Sequence, residues 1–127
     1  MILIAPEQLA NAWPQVSGWI AEAINRRENA GDENLLDVLI ALARNHYALW
    51  VEHGKGAVVV QVTQFPRQKV ATILYAGGEL EAFVEMYQEA KKLARQYGIQ
   101  VLRTHGRMGW EKTLGLKRVG VILQEVL

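Results

Sequence analysis

The spacing of apolar residues divides the chain into helical and extended segments. Met1–Ala5 is apolar and short, which predicts an edge strand. Apolar residues then recur every three or four positions, predicting one helix from Pro14 to about Arg27 and a second from an Asp32 cap to Arg44. Trp13 precedes a proline, which disfavours the helical backbone, so a turn is expected before Pro14.

The middle of the chain changes to β-type composition. Tyr47–Glu52, Ala57–Phe65 and Lys69–Tyr75 are rich in valine, threonine, isoleucine and aromatic residues. Turn-like sequences, residues 53–56 and 65–68, separate them. This arrangement predicts a three-stranded antiparallel meander.

The clearest helix in the pattern is Glu79–Tyr97. Its apolar positions lie three or four residues apart and form one stripe: Leu80, Phe83, Tyr87, Ala90, Ala94 and Tyr97. Acidic residues lie at its start and basic residues at its end, as the helix dipole favours, and Gly98 suits the position after its end.

The remaining pattern predicts a strand over Ile99–Thr104, a short helix over Arg107–Leu114 and one or two strands over Leu116–Leu127. A strand–helix–strand crossover implies that Lys69–Tyr75 and Ile99–Thr104 pair in parallel. The resulting order, (β)ααβββαβαβ, predicts a mixed α/β sheet (α+β) in a single domain over residues 1–127.

Composition narrows the function classes. Half of the 127 residues are hydrophobic and the formal net charge is +1, which favours a packed core and argues against nucleic-acid or membrane-surface binding. The chain has no cysteine, so disulfides, thiolate metal sites and cysteine nucleophiles are excluded. With three scattered histidines, no metal site is predicted. A cytoplasmic location in a host cell is expected, with virion association as an alternative.

One block near the C-terminus carries a family resemblance. Gly106-Arg107-Met108-Gly109-Trp110-Glu111-Lys112 is followed by Leu114-Gly115-Leu116-Lys117-Arg118-Val119-Gly120 and a final apolar stretch. With the element order, this block resembles the GCN5-related N-acetyltransferase (GNAT)-like proteins, and more closely the small GNAT-like proteins encoded by tailed bacteriophages. The resemblance implies a GNAT-like fold and acetyl-CoA as cofactor.

In the family, a loop of the form Gln/Arg-x-x-Gly-x-Gly/Ala before the long helix binds the cofactor pyrophosphate through backbone N–H groups. The resemblance places Ala76, Gly77 and Gly78 at this loop, with Arg103 and Arg107 as further cofactor-binding candidates. Leu74 stands where Gln or Arg is expected, and Glu79 where Gly or Ala is expected. Two unit charges about 6 Å apart repel by roughly 3 kcal/mol at an effective dielectric near 20, so the acidic helix start opposes a pyrophosphate. The alternative is an ordinary strand-to-helix turn.

The family's usual general acid is a tyrosine in the last short helix, and Glu111 stands at that position. A solvated carboxyl is ionised at neutral pH and has no proton to donate. His105 is the candidate base, and the catalytic candidates are therefore His105 and Glu111. The alternative interpretation of His105 is a strand-end histidine between two solvated or salt-bridged arginines.

These departures lead to two function hypotheses. The first is a GNAT-like protein with a degenerate acetyl-CoA site that acts as a non-catalytic binding, host-modulating or virion-associated protein, with a host or phage protein as partner. The alternative is an acyl-CoA-dependent N-acyltransferase acting on a protein or a small amine. The chain is thus not assigned as an enzyme from its sequence.

Overall fold

The computed structural model of the protein describes residues 1–27, 31–104 and 109–127. Its centre is a five-stranded sheet in the order β1-β2-β3-β4-β5. Neighbouring strands are antiparallel from β1 to β4, and β5 pairs with β4 in parallel. The strands are β1 (Ile2–Ile4), β2 (Ala48–Glu52), β3 (Gly56–Gln64), β4 (Lys69–Gly78) and β5 (Val101–Thr104).

Helices cover both faces of this sheet. They are α1 (Leu9–Asn25), α2 (Leu35–Ala43), α3 (Leu80–Gln96) and α4 (Gly109–Leu114), with a 3-10 turn at Pro6–Gln8. One hydrophobic cluster joins α1 and α2 to the sheet, and a second joins α3 to the other face. The mixed α/β class, the meander and the parallel pairing predicted from the sequence are confirmed. Every helix in the described part of the chain is too short or too polar to cross a lipid bilayer.

The first helix begins earlier than predicted. Helix α1 starts at Leu9 and runs through Pro14, where a turn had been expected. A proline inside a helix removes one backbone hydrogen bond and costs about 3 kcal/mol. Burial of Leu9, Val16 and Ile20, each at most 6% exposed, offsets this cost because all three contact the same core.

The second helix has a different cap from the one predicted. Asn34, not Asp32, is the residue before α2. The Asn34 side chain accepts a hydrogen bond from the Asp37 N–H, and the Asp37 carboxylate accepts one from the Asn34 N–H, both at 2.9 Å. This reciprocal pair satisfies two backbone donors at the helix start, which a cap at residue 32 would leave unpaired.

Most of the α3 stripe packs against the sheet, as its spacing predicts. Phe83, Tyr87 and Ala94 are buried, and Met86 joins them. The two outermost predicted positions, Leu80 and Tyr97, are instead 61% and 60% exposed. They lie at the ends of the helix, beyond the part that contacts the sheet.

The predicted strand over Leu116–Leu127 is wrong. Residues 115–127 contain neither helix nor strand, and the side chains from Val119 onward are exposed. The composition suits a strand, but a strand also needs a neighbour for its backbone N–H and C=O groups. Among the described residues, this segment pairs with no strand.

Candidate functional site

Strand β4 changes its geometry at Leu74. Up to Ile73 it pairs with both β3 and β5, and its last partner on β5 is Thr104. Tyr75 pairs with Val59 while Ile73 pairs with Val60, so Leu74 is an extra residue in the ladder. Such a bulge bends a strand and increases its twist. The second half of β4 therefore keeps β3 as its neighbour and diverges from β5.

The bulge also decides which face each later side chain occupies. Ile73 packs in the cluster under α3, whereas Tyr75, two residues on, packs in the cluster under α1 and α2. In a regular strand, residues two apart would share a face. The extra residue thus sends Tyr75 to the α1 face and Ala76 to the α3 face, beside the divergence from β5.

Gly77 and Gly78, predicted as a phosphate-binding loop, are the last two residues of β4. A Cβ atom on Gly77 would lie 2.6 Å from the Trp19 carbonyl oxygen and 2.7 Å from its Cβ, so the backbone of α1 fills that space. Gly78 has a φ of +111°, and a Cβ there would overlap the Lys55 carbonyl oxygen. Both glycines are required by contacts within the protein itself.

The start of α3 is occupied in the same way. The backbone N–H of Glu79 donates to the Lys55 carbonyl oxygen at 2.9 Å, which extends the contact with the β2–β3 turn. Glu79 and Glu81 are both exposed at the first turn and place two carboxylates where the helix dipole is positive. The residues at this junction therefore do not fit a pyrophosphate, because their space, one N–H group and their charge already have other partners.

A polar cluster that the sequence did not predict lies beside the bulge. Glu33, in the connection between α1 and α2, accepts hydrogen bonds from the hydroxyl groups of Tyr47, at 3.1 Å, and Tyr75. Arg27 lies with its guanidinium carbon 5.0 Å from the centre of the Tyr75 ring, and its Nη1 donates to the Leu74 carbonyl oxygen at 2.8 Å. The bulge residue is thereby linked to the end of α1.

This cluster keeps its two phenols protonated. Burial raises the pKa of Tyr75 far above its ordinary value, and the hydrogen bond to the Glu33 carboxylate adds to the effect. Burial and the negative charge of Glu33 raise the pKa of Tyr47 as well. A phenol with a raised pKa releases its proton less readily, so Tyr75 is poorly suited to replace the missing general acid. The geometry instead anchors the α1–α2 connection to β4.

Nothing in the sequence pattern singled out these partners. Tyr75 resembles an ordinary strand residue, and Glu33 lies 42 residues away from it in the chain. The contact depends on the bulge at Leu74, which has no local signature.

Arg103 lies away from the predicted cofactor loop. On β5 it pairs with Thr72, five residues before Gly77, or about 16 Å along the strand. Its guanidinium carbon is 6.0 Å from the centre of the Phe65 ring, at the opposite end of β4. Arg103, Phe65 and Arg67 line a shallow open depression at that end. The structure therefore does not bring Arg103 together with Gly77 and Gly78.

Glu111, the residue at the usual acid position, forms an ion pair on the surface. Its Oε1 accepts from Nε of Arg118 at 2.9 Å and from Nη2 at 2.7 Å, and both side chains are nearly half exposed. An exposed, paired carboxylate remains ionised at neutral pH. His105 and Arg107 lie outside the described residues, so their proposed roles stay predictions.

Metal ligands were also sought among the side chains. Within residues 1–27, 31–104 and 111–127, no three histidine, aspartate or glutamate side chains lie close enough together to hold a metal ion.

Comparisons of sequence give only local likeness. No protein-family model matches the chain. Over 70 residues, half of this chain, it is 39% identical to adenosine deaminases of Clostridium perfringens strain 13 and strain SM101. The matched region is 21% of each deaminase, so the chain spans about a fifth of the length of these curated relatives.

Comparisons of structure match nearly the whole chain. A probable acetyltransferase superposes with a TM-score of 0.69 at 12% identity, covering 99% of this chain and 95% of that one. An aminoglycoside acetyltransferase from an uncultured soil metagenomic sample, solved with sisomicin, gives 0.67 at 12% identity over 99% and 94%. A GCN5-related N-acetyltransferase from Ralstonia eutropha JMP134 gives 0.68 at 14% identity over 98% and 96%. This chain therefore has the fold of the GCN5-related N-acetyltransferases.

Proposed function

We propose that this chain is a GNAT-fold protein with a degenerate acetyl-CoA site that acts by binding a protein partner. The observation that carries the proposal is the junction between β4 and α3. Its two glycines accommodate the backbones of Trp19 and Lys55, and its first N–H group, that of Glu79, already has an acceptor. The fold supports an acyltransferase-like ancestry, but this junction has become part of the protein's own packing.

The side chains near the divergence of β4 and β5 support the same proposal. Glu111 is held by Arg118, and the Tyr75 hydroxyl is held by Glu33. Neither group is placed to give a proton to a departing thiolate, and each such proton-transfer group is typically worth about 10²–10⁴ in rate. Loss of one alone would slow acetyl transfer to a level of little use.

The partner is proposed to be a protein of a host or a phage, in line with the resemblance to small bacteriophage proteins. A host-modulating or virion-associated role follows from that resemblance. The likeness to adenosine deaminases involves only a fifth of those proteins, so it supports no proposal of deaminase activity here.

An acyl-CoA-dependent N-acyltransferase is the second candidate. It is favoured by the divergence of β4 from β5 after Ile73 and Thr104, because a strand that loses its neighbour exposes backbone groups to a ligand. In that case a protein or small amine would be the acceptor, and His105 would be the base.

A ligand titration separates the two candidates. A ligand present at 100 times its dissociation constant adds about 2.7 kcal/mol of stability, which raises the melting temperature of a domain of this size by on the order of 10 °C. We expect millimolar acetyl-CoA to raise it by less than about 2 °C, and we expect no transfer to polyamine, peptide or aminoglycoside acceptors above background. An aminoglycoside acetyltransferase serves as the positive control.

Micromolar acetyl-CoA binding with robust transfer that disappears in His105→Ala, while the fold persists, would overturn the binding-protein proposal in favour of the second candidate. Direct support would come from one stoichiometric partner that co-purifies from host lysate and binds the purified protein in a reconstituted titration. Arg103→Ala, distant from the junction, is a matched control for the loss of a nearby positive charge.

A further inference from the structure

Residues 119–127, here named the apolar segment, expose an unusual amount of hydrophobic surface. Six aliphatic side chains in this segment are each at least 72% exposed: Val119, Val121, Ile122, Leu123, Val126 and Leu127. Single exposed apolar residues are normal, but a contiguous group of this size marks an interaction site. The segment adopts neither helix nor strand, so its backbone also lacks regular partners.

The order of residues within the segment indicates the kind of partner. In an extended conformation, Val119, Val121 and Leu123 would point to one side, and Ile122 and Val126 to the other. A strand that is apolar on both sides is typical of a sheet position covered on both faces. A flat membrane surface or an amphipathic groove would require only one apolar side.

The sheet of this protein offers such a position at β5. Among the described strands, β5 has β4 as its single neighbour, so its outer edge presents unpaired N–H and C=O groups. The sheet carries α1 and α2 on one face and α3 on the other. A strand added beside β5 would thus have apolar layers on both sides.

The apolar segment begins close to this edge without covering it. Leu116 and Leu114 pack against the same cluster as Leu102 of β5, which anchors the chain three residues before Val119. Beyond that anchor the chain leaves the core and its side chains become exposed. One chain therefore carries both an uncovered edge and an uncovered strand-like segment.

We propose that the apolar segment adds as a strand to the outer edge of β5 in a second copy of this chain. Each copy supplies one segment and one edge, so a two-fold pair satisfies both at once and closes without leaving an edge free. Burying an aliphatic side chain hides on the order of 100 Å², so two segments and the surfaces they cover amount to about 2,000 Å², within the range of stable protein interfaces. This inference does not depend on the proposed function.

Oligomeric state tests the proposal with a matched pair of variants. We expect the wild-type protein to sediment as a dimer at micromolar concentration. Replacing Ile122 and Leu123 with aspartate should weaken dimerisation by at least about a hundredfold, because it places charges on both sides of the added strand. Leu36→Asp, at a 60% exposed site on α2, should remain dimeric. All three residues are exposed, so the variants should melt within a few degrees of wild type.

Hydrogen exchange then identifies the edge that is used. Amide protection of Val101–Thr104 and of the apolar segment should rise together with dimer concentration, and both should be lost in the aspartate variant. A protected segment in a concentration-independent monomer would mean that it folds onto its own β5 and would overturn the proposal. An unprotected segment in a monomer, or a dimer that survives the aspartate substitutions, would overturn it equally.

Discussion

Gly77 lies so close to Trp19 that a side-chain carbon on Gly77 would approach the Trp19 carbonyl oxygen to 2.6 Å. This approach lets the backbone of α1 rest directly on the end of β4. It also explains the glycine pair by packing, with no need for a bound phosphate. The same contact excludes any larger residue at this position.

Gly77→Ala is therefore expected to destabilise the fold by about 1–3 kcal/mol, the usual cost of overpacking a tight contact. The neighbour that must move is backbone, which cannot rotate away as a long side chain can. Urea unfolding monitored by tryptophan fluorescence measures the change.

Gly18→Ala is the matched control for that substitution. Gly18 lies inside α1, and a methyl group added there would meet nothing within 4 Å beyond the adjacent backbone of its own helix. Alanine should therefore stabilise the helix by about 0.5–1 kcal/mol. Equal stability of Gly77→Ala and wild type would mean that α1 does not rest on β4 as described.

The second prediction concerns the hydroxyl group of Tyr75. Tyr75→Phe removes a hydrogen bond to the Glu33 carboxylate, and such bonds to charged groups contribute about 1.5–3 kcal/mol. Glu33 is only partly buried, so we expect a loss of about 1–2 kcal/mol in thermal or urea unfolding. Tyr97→Phe, at a 60% exposed site, should change stability by less than about 0.5 kcal/mol. An equally small effect at Tyr75 would show that Glu33 does not anchor the α1–α2 connection.

The sequence was a good guide wherever structure depends on local spacing. The α3 stripe is carried by Phe83 and Tyr87 in the structure as in the pattern, and the meander follows from its β-branched runs. The parallel pairing of β4 with β5 followed from crossover length alone. These features need no knowledge of what approaches from elsewhere in the chain.

The candidate site was not predictable in the same way. A Gly-Gly pair indicates a close approach of backbone, but it does not tell whether a cofactor or another part of the chain makes that approach. At Gly77 the approaching group is Trp19, from a helix 58 positions earlier in the numbering. The bulge at Leu74 and the partnership of Glu33 with Tyr75 likewise arise only when β3, β4 and the α1–α2 connection are assembled.

Alkaline pH should destabilise the protein through its buried phenols. Below pH 10 Tyr75 is protonated in both states, so its contribution to stability is complete there. Above pH 10 the unfolded chain releases this proton while the folded protein keeps it, because burial raises the pKa of Tyr75 in the folded state. The free energy of unfolding should then fall by at most about 1.4 kcal/mol per pH unit for this group.

Two measurements check this pH dependence. Tyrosinate absorbance should show late titration of Tyr75 and Tyr47, whose pKa values are both raised. The decline of stability between pH 10 and 12 should be shallower in Tyr75→Phe than in wild type. A parallel decline in both proteins would remove Tyr75 as its cause.

The last prediction concerns Glu79 at the start of α3. Any weak binding of acetyl-CoA at this helix end would be opposed by the Glu79 carboxylate, which is exposed and faces the positive end of the helix dipole. Glu79→Gln should then strengthen binding by about threefold to tenfold at low salt, since water and ions reduce the roughly 3 kcal/mol of repulsion expected at 6 Å. Calorimetry with millimolar acetyl-CoA at low and high salt measures the change.

Glu85→Gln is the matched control, because it removes the same charge one turn further along the same helix, on an exposed side chain. Its effect should be smaller, since the interaction with a helix end is confined to the first turn. If Glu79→Gln and Glu85→Gln bind acetyl-CoA with the same affinity as wild type at both salt concentrations, the pyrophosphate does not lie at this helix end. If the Glu79 variant binds more tightly only at low salt, the acidic start of α3 is one reason why the cofactor site is degenerate.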